Sequence, residues 1–229
     1  MFVSKLDTWE AVEENLDKLT AKIHMGWSYM SRAASGHYPI DAFSKGQLLS
    51  KAWLLHEYRT HTMCRMRPEP RSVALLGCWI GTLAEPLLKM DCMIERVWGF
   101  DSDQNAVNLS NQFNKRLVDR NWKYKAVCED VNQIDWDSPQ FEIEGQLIEQ
   151  RPQLIINTSA EHMSPAWFES VGTEQLVMLQ TNNNKDIPGH DYTVSSEAEL
   201  RAMYPMQEIL YIGALEMPSY TRYMLVGYK

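Results

Sequence analysis

The sequence predicts an α/β fold: a doubly wound, seven-stranded, mostly parallel sheet with a helical extension at its N-terminus. Three observations carry that expectation. From residue 72 onward, short apolar runs alternate with helical segments, as in a sheet covered on both faces. The first run, Val73-Ala74-Leu75-Leu76, is closed by Gly77, and Gly81 follows before the next helix. The second run, Arg96 to Phe100, is closed by an acid, Asp101.

Each element has its own signal. Residues 7–24 predict a helix, with Asp7 or Thr8 as cap and Trp9, Val12, Leu16, Leu19 and Ile23 on one face. Gly26 permits a break, and Trp27 to Ala34 suit a short second helix. A loop with Pro39 leads to a helix over about 44–62, whose apolar face holds Leu48, Leu49, Ala52, Leu55 and Tyr58. Pro68 and Pro70 then mark a hinge. We therefore expect two parts: residues 1–69 as a helical lid or extension, and residues 70–229 as the sheet domain. After the first strand come a helix at 83–89, a strand at 95–100, a helix at 105–118 and a strand at 123–128. The acidic stretch 129–145 reads as a loop, and 146–150 as one helical turn. A strand at 153–156, a helix opened by Pro165, and a strand at 175–180 follow. Ser195 or Ser196 with Glu199 makes a capping box for a helix to Met203. Two strands, 207–215 and 220–228, close the chain.

Composition narrows the class. The 229 residues carry a net charge of −8, and 45% are hydrophobic. An acidic chain repels a nucleic-acid backbone unless it gathers a basic patch. Arg59, Arg65, Arg67 and Arg71 form the richest basic cluster and read as a solvated connector. The four cysteines, 64, 78, 92 and 128, lack zinc spacing, and no metal site is expected. Cys78 and Cys128 read as small buried groups of a reducing compartment. No window is apolar enough to span a membrane and no leader pattern opens the chain, so a cytoplasmic protein without membrane partners is expected.

The glycine turn discriminates between ligands. In Gly77-Cys78-Trp79-Ile80-Gly81, a tryptophan stands where a dinucleotide fingerprint needs its second glycine. Its side chain would crowd a pyrophosphate, which favours S-adenosylmethionine over a nicotinamide dinucleotide. Over residues 70–229 the chain resembles the class I S-adenosylmethionine-dependent methyltransferases. The resemblance rests on Leu75 to Gly81, on Asp101, on Glu129-Asp130-Val131, on Ile155 to Ser159, and on the closing strand pair. Two positions depart from the family pattern: Leu75 replaces an acid, and Trp79 replaces a glycine. The resemblance implies that Gly77, Trp79 and Gly81 shape the cofactor turn and that Asp101, with Ser102, takes the ribose hydroxyls. It implies that Asp130 takes the adenine amino group beside Val131, and that Asn157 belongs to the fourth motif.

Methyl transfer from a sulfonium is an in-line displacement, so positioning dominates, and a base matters only when the acceptor must lose a proton. Glu161 and His162 follow the fourth strand as a candidate carboxylate and base. The same pair equally suits the acidic start of the next helix. Tyr38, Ser159 and Asn182 are candidate acceptor contacts, with His190 and Tyr192 in the same loop as Asn182. No Asp/Asn-Pro-Pro-aromatic motif and no Pro-Cys pair of the DNA-base enzymes is present. The expected acceptor is a small molecule, with nucleic acid disfavoured. Other readings stand beside it: an enzyme of this fold that transfers or cyclises the aminocarboxypropyl group and releases methylthioadenosine, a non-catalytic binding protein, and an RNA methyltransferase that uses the Arg59 to Arg71 segment.

Overall fold

A computed structural model describes residues 17–28, 38–63 and 70–229. Seven strands form one sheet: β1 (Ser72–Leu76), β2 (Arg96–Asp101), β3 (Tyr124–Cys128), β6 (Leu154–Asn157), β7 (Leu176–Asn182), β8 (Glu208–Glu216) and β9 (Thr221–Tyr228). Their order is β3-β2-β1-β6-β7-β9-β8, and β9 runs antiparallel to both its neighbours. The chain reverses direction across the sheet between β1 and β6, so the ends of these strands flank a crevice.

Strand alternation divides the interior into two cores. Val73, Leu75, Val97, Leu154, Ile156, Met178 and Val226 point to one face. Ala74, Leu76, Trp98, Phe100, Ile155, Val177 and Leu225 point to the other. The first face is covered by the helix at 17–28, which we term α1, by α2 (Lys45–Tyr58), α3 (Ala84–Met90) and α4 (Gln104–Phe113). Helices α1 and α2 are thus part of the main core. Polar ties reinforce them: the Trp27 indole donates to the Thr82 carbonyl at 2.8 Å, and the Tyr58 hydroxyl donates to buried Asp91 at 2.6 Å. Ser50 and Gln180 exchange two hydrogen bonds, joining α2 to β7.

Several elements differ from expectation, each for a local reason. Residues 1–16, 29–37 and 64–69 lie outside the described residues; they hold the start of the first helix, most of the second, Arg65, Arg67 and Cys64. Gly26 does not break α1, which continues to residue 28. A Cβ on Gly26 would strike the Glu85 carboxylate, so this glycine permits close packing on α3. The expected helix at 105–118 divides into α4 and α5 (Lys115–Val118) at Asn114. The buried Asn114 amide donates to the carbonyls of Gly81 and Ser110, fastening α4 to the glycine turn.

The stretch read as loop and helical turn is a hairpin, β4 (Gln140–Ile143) with β5 (Gln146–Glu149). Glu144 and Gly145 both have positive φ, the backbone of a two-residue hairpin turn. Phe141 and Ile143 face inward and alternate with exposed Gln140 and Glu142. Phe141 packs edge-on against Trp98 and Phe100, so this ribbon covers the second core. The second core is completed by α6 (Ala166–Glu169) and α7 (Glu197–Met203), whose cap is Ser196. No helix among the described residues is long and apolar enough to cross a membrane.

Candidate functional site

A cavity of about 980 Å³ opens beyond the carboxyl ends of the parallel strands. Its first wall is the turn after β1. Gly77 and Gly81 both take positive φ, and so does Trp79, at 48°. This conformation is uncommon for a bulky residue and costs about 1 kcal/mol or more. The reason glycine suits this position is therefore visible, and Trp79 occupies it while lining the cavity. Asp101 sits opposite. One of its oxygens accepts from the Trp79 amide at 2.8 Å, the other from the Asp103 amide at 3.1 Å. These bonds fix the carboxylate at the lip, beside Ser102.

Further along the rim, Asp130 caps a single 3-10 turn (Val131–Gln133) by accepting from the Asn132 amide at 3.0 Å. Val131 lines the cavity beside it, its side chain packed into the second core. On the other flank Ser159 donates to the Gly77 carbonyl at 3.3 Å, stitching the end of β6 to the end of β1.

The remaining wall is built from side chains of three strand ends. Glu161 is buried; one of its oxygens receives the Asn182 amide at 2.6 Å and the Arg222 guanidinium at 3.3 Å. Asn182 on β7 and Arg222 on β9 are direct cross-strand partners, which is why both reach the same carboxylate. Arg222 also donates to the Thr158 carbonyl at 3.2 Å. Behind this group lies buried Lys51, its ammonium 2.5 Å from Gln47. Burial and the Arg222 charge lower its pKa to about 7, against the opposing pull of Asp41 and Glu161. His162 and His190 face each other edge-on, ring centres 4.5 Å apart.

The structure brings together Gly77, Trp79, Asp101, Ser102, Asp130, Val131, Ser159, Glu161, His162 and Asn182 around one cavity. Gly81, Asn157 and Tyr38 stand apart from it. A Cβ on Gly81 would meet Ser110, Asn114 and Tyr124, so that glycine serves the packing of the turn on α4. Asn157 is fully buried; it accepts from the Ser159 amide at 2.9 Å and points its amide at Met163 sulfur. It shapes the floor without reaching the space above. Tyr38 packs edge-on against Phe113 and Phe43, and burial raises its pKa. Burial and the nearby Asp101 push the Cys78 thiol up to about 12, so it stays protonated and unreactive.

Sequence reading missed Arg222, together with Asp41, Ser44 and Gln47, which line the cavity from the N-terminal side. Arg222 had one signal: it is a cation at the head of an otherwise apolar strand. The other three belong to a short 3-10 turn (Ile40–Phe43) and the start of α2, and nothing in their spacing marks them.

No protein-family model and no curated protein matches the chain. Solved structures do. Magnesium protoporphyrin IX methyltransferase from Synechocystis PCC 6803, with bound S-adenosylmethionine, aligns over 100% of both chains at TM-score 0.56 and 12% identity. The N-methyltransferase NodS from Bradyrhizobium japonicum WM9, with S-adenosylhomocysteine, aligns over 88% of this chain and 97% of its own, at TM-score 0.57 and 10% identity. The plantazolicin methyltransferase BpumL, with S-adenosylhomocysteine and a substrate analogue, aligns over 96% and 100%, at TM-score 0.53 and 14% identity. The chain has the class I methyltransferase fold.

Proposed function

We propose that the protein binds S-adenosylmethionine in this cavity and transfers its methyl group to a small-molecule acceptor. The observation that carries the proposal is the meeting, in one space, of the strand-end acids Asp101 and Asp130 with the turn at Gly77 to Trp79. On this reading Asp101 holds the ribose hydroxyls and Asp130 the adenine amino group, with Val131 beside the ring. The charge balance supports it. Five carboxylates line the cavity (Asp41, Asp101, Glu129, Asp130 and Glu161) against the single guanidinium of Arg222, a balance that suits a cationic sulfonium. The three solved relatives hold S-adenosylmethionine or its demethylated product, which is consistent with the same cofactor here. Asp41, Ser44 and Gln47 give the N-terminal segment a share of the wall, consistent with a lid over the donor.

The acceptor then lies between Ser159, Asn182, His162 and His190. Calorimetry with S-adenosylmethionine tests the cofactor assignment: saturable binding is expected, and no heat with the wild-type protein would overturn it in favour of a non-catalytic scaffold. Analysis of the spent cofactor tests the reaction. S-adenosylhomocysteine means methyl transfer, and methylthioadenosine means transfer of the aminocarboxypropyl group.

A further inference from the structure

We propose that Glu161, His162 and His190 form a binding site for a divalent transition-metal ion. One ligand atom from each lies within 4.8 Å of the others, and all three residues line the cavity. Two ligands of a tetrahedral ion stand about 3.4 Å apart, so a side-chain adjustment of about an ångström completes the contact.

Three further features point the same way. The first is the carboxylate. Asn182 and Arg222 both engage Oε1 of Glu161, whereas buried Oε2 has no partner. A buried anionic oxygen without a partner is costly, and a cation satisfies it.

The second is the orientation of His190. Its Nδ1 lies 2.8 Å from the Asn184 carbonyl. A carbonyl only accepts, so Nδ1 carries the proton and Nε2 presents its lone pair. A backbone carbonyl behind a histidine is the usual way in which a ligating imidazole is oriented.

The third is how the loop is held. The Tyr192 amide donates to the Glu161 carbonyl at 3.1 Å, and the His190 amide donates to Ile187 at 3.1 Å around Pro188-Gly189. Gly189 takes the left-handed conformation that this turn requires, with φ at 84°. The loop is thereby pinned so that His190 faces His162. Two imidazoles and one carboxylate suit zinc, cobalt, iron or manganese better than magnesium or calcium. Three protein ligands leave at least one coordination position for a further oxygen, nitrogen or sulfur ligand. The Arg222 guanidinium contacts Oε1 of Glu161, the oxygen already engaged by Asn182, and is outnumbered by the carboxylates around the cavity.

Binding of the ion does not depend on the methyltransferase reading; its use in holding an acceptor heteroatom does. A ligating His162 has no lone pair left for an acceptor's proton, so the ion site replaces the general-base role expected from sequence.

The test uses the full chain without an affinity tag. Cobalt(II) is titrated and followed by its visible absorption, and zinc(II) by competition with a chromophoric chelator. One equivalent is expected to bind, with affinity falling at least about tenfold in His162→Ala and in His190→Ala. Both histidines are at least partly exposed, so these variants are expected to keep the wild-type melting temperature. No stoichiometric binding by the wild-type protein overturns the site, as does binding that both variants retain. S-adenosylmethionine calorimetry runs in parallel on the same samples. Metal binding lost with cofactor binding kept removes only the ion site; cofactor binding absent with the metal bound removes only the methyltransferase reading.

Discussion

At the carboxyl ends of β1, β2 and β3 the acids of the cavity are held mainly by main chain: Asp101 by the amides of Trp79 and Asp103, Asp130 by the backbone amide of Asn132 together with that residue's side-chain amide. At the ends of β6, β7 and β9 the carboxylate of the cavity is held by other side chains: Glu161 is clasped by Asn182 and Arg222. The difference teaches where fragility should lie. A carboxylate held by backbone amides sits at the rim and can be removed with its anchor left in place. A carboxylate buried against a guanidinium cannot lose its partner without leaving an uncompensated charge.

The sharpest way to break this comparison is Arg222→Ala. It strands the buried Glu161 and is expected to cost about 3–5 kcal/mol in chemical unfolding. Adding Glu161→Gln should recover part of that loss, because the stranded charge is gone. A single variant that costs under about 1 kcal/mol would show the pair to be far better hydrated than its burial implies. On the other half, Asp101→Ala should leave the melting temperature nearly unchanged and weaken S-adenosylmethionine binding by about 1.5–3 kcal/mol, the worth of a hydrogen bond to a charged group. Equal stability losses in the two variants would erase the distinction.

Lys51 adds a pH signature to the second half. Its folded pKa is near 7, below that of the unfolded chain, so unfolding takes up protons across the interval between the two values. Stability should therefore rise with pH from about 7 to about 10.5, by about 1 kcal/mol between pH 7 and 8. Unfolding of Lys51→Met across that range should show a shallower rise than the wild type; identical slopes would refute the assignment. The smallest effect expected is that of Trp79→Gly. Relief of the left-handed backbone offsets lost packing, so stability should change by less than about 1 kcal/mol. Its consequence is expected in cofactor affinity, read by calorimetry.

The same division marks what could be read from sequence. Gly77, Asp101 and Asp130 announce themselves because strand, turn and acid are neighbours in the chain and the fold repeats them at each strand end. His162, Asn182 and His190 could be picked out singly as polar groups after strand ends, but Arg222 could not, and spacing carries no record of how these side chains from distant segments come together. Asn157 and Gly81 belong to the right motifs, yet they serve the packing beneath the cavity. The β4–β5 ribbon was missed for another reason. Short runs such as Gln146-Leu147-Ile148-Glu149 fit either period, and the deciding turn, Glu144-Gly145, lacks the asparagine or aspartate that usually signals a hairpin.

That ribbon also bears on how copies of the chain behave at high concentration. Two strands alone leave an outward row of amides and carbonyls on each side, an invitation to further strands. Here Glu142 and Glu149 project from it into solvent, and a second copy docking edge to edge would set acid near acid. Leu147 is the exposed apolar exception, at 61%. An acidic fringe disfavours edge-to-edge pairing, and replacing both glutamates with valine is expected to raise self-association at high concentration, read by light scattering.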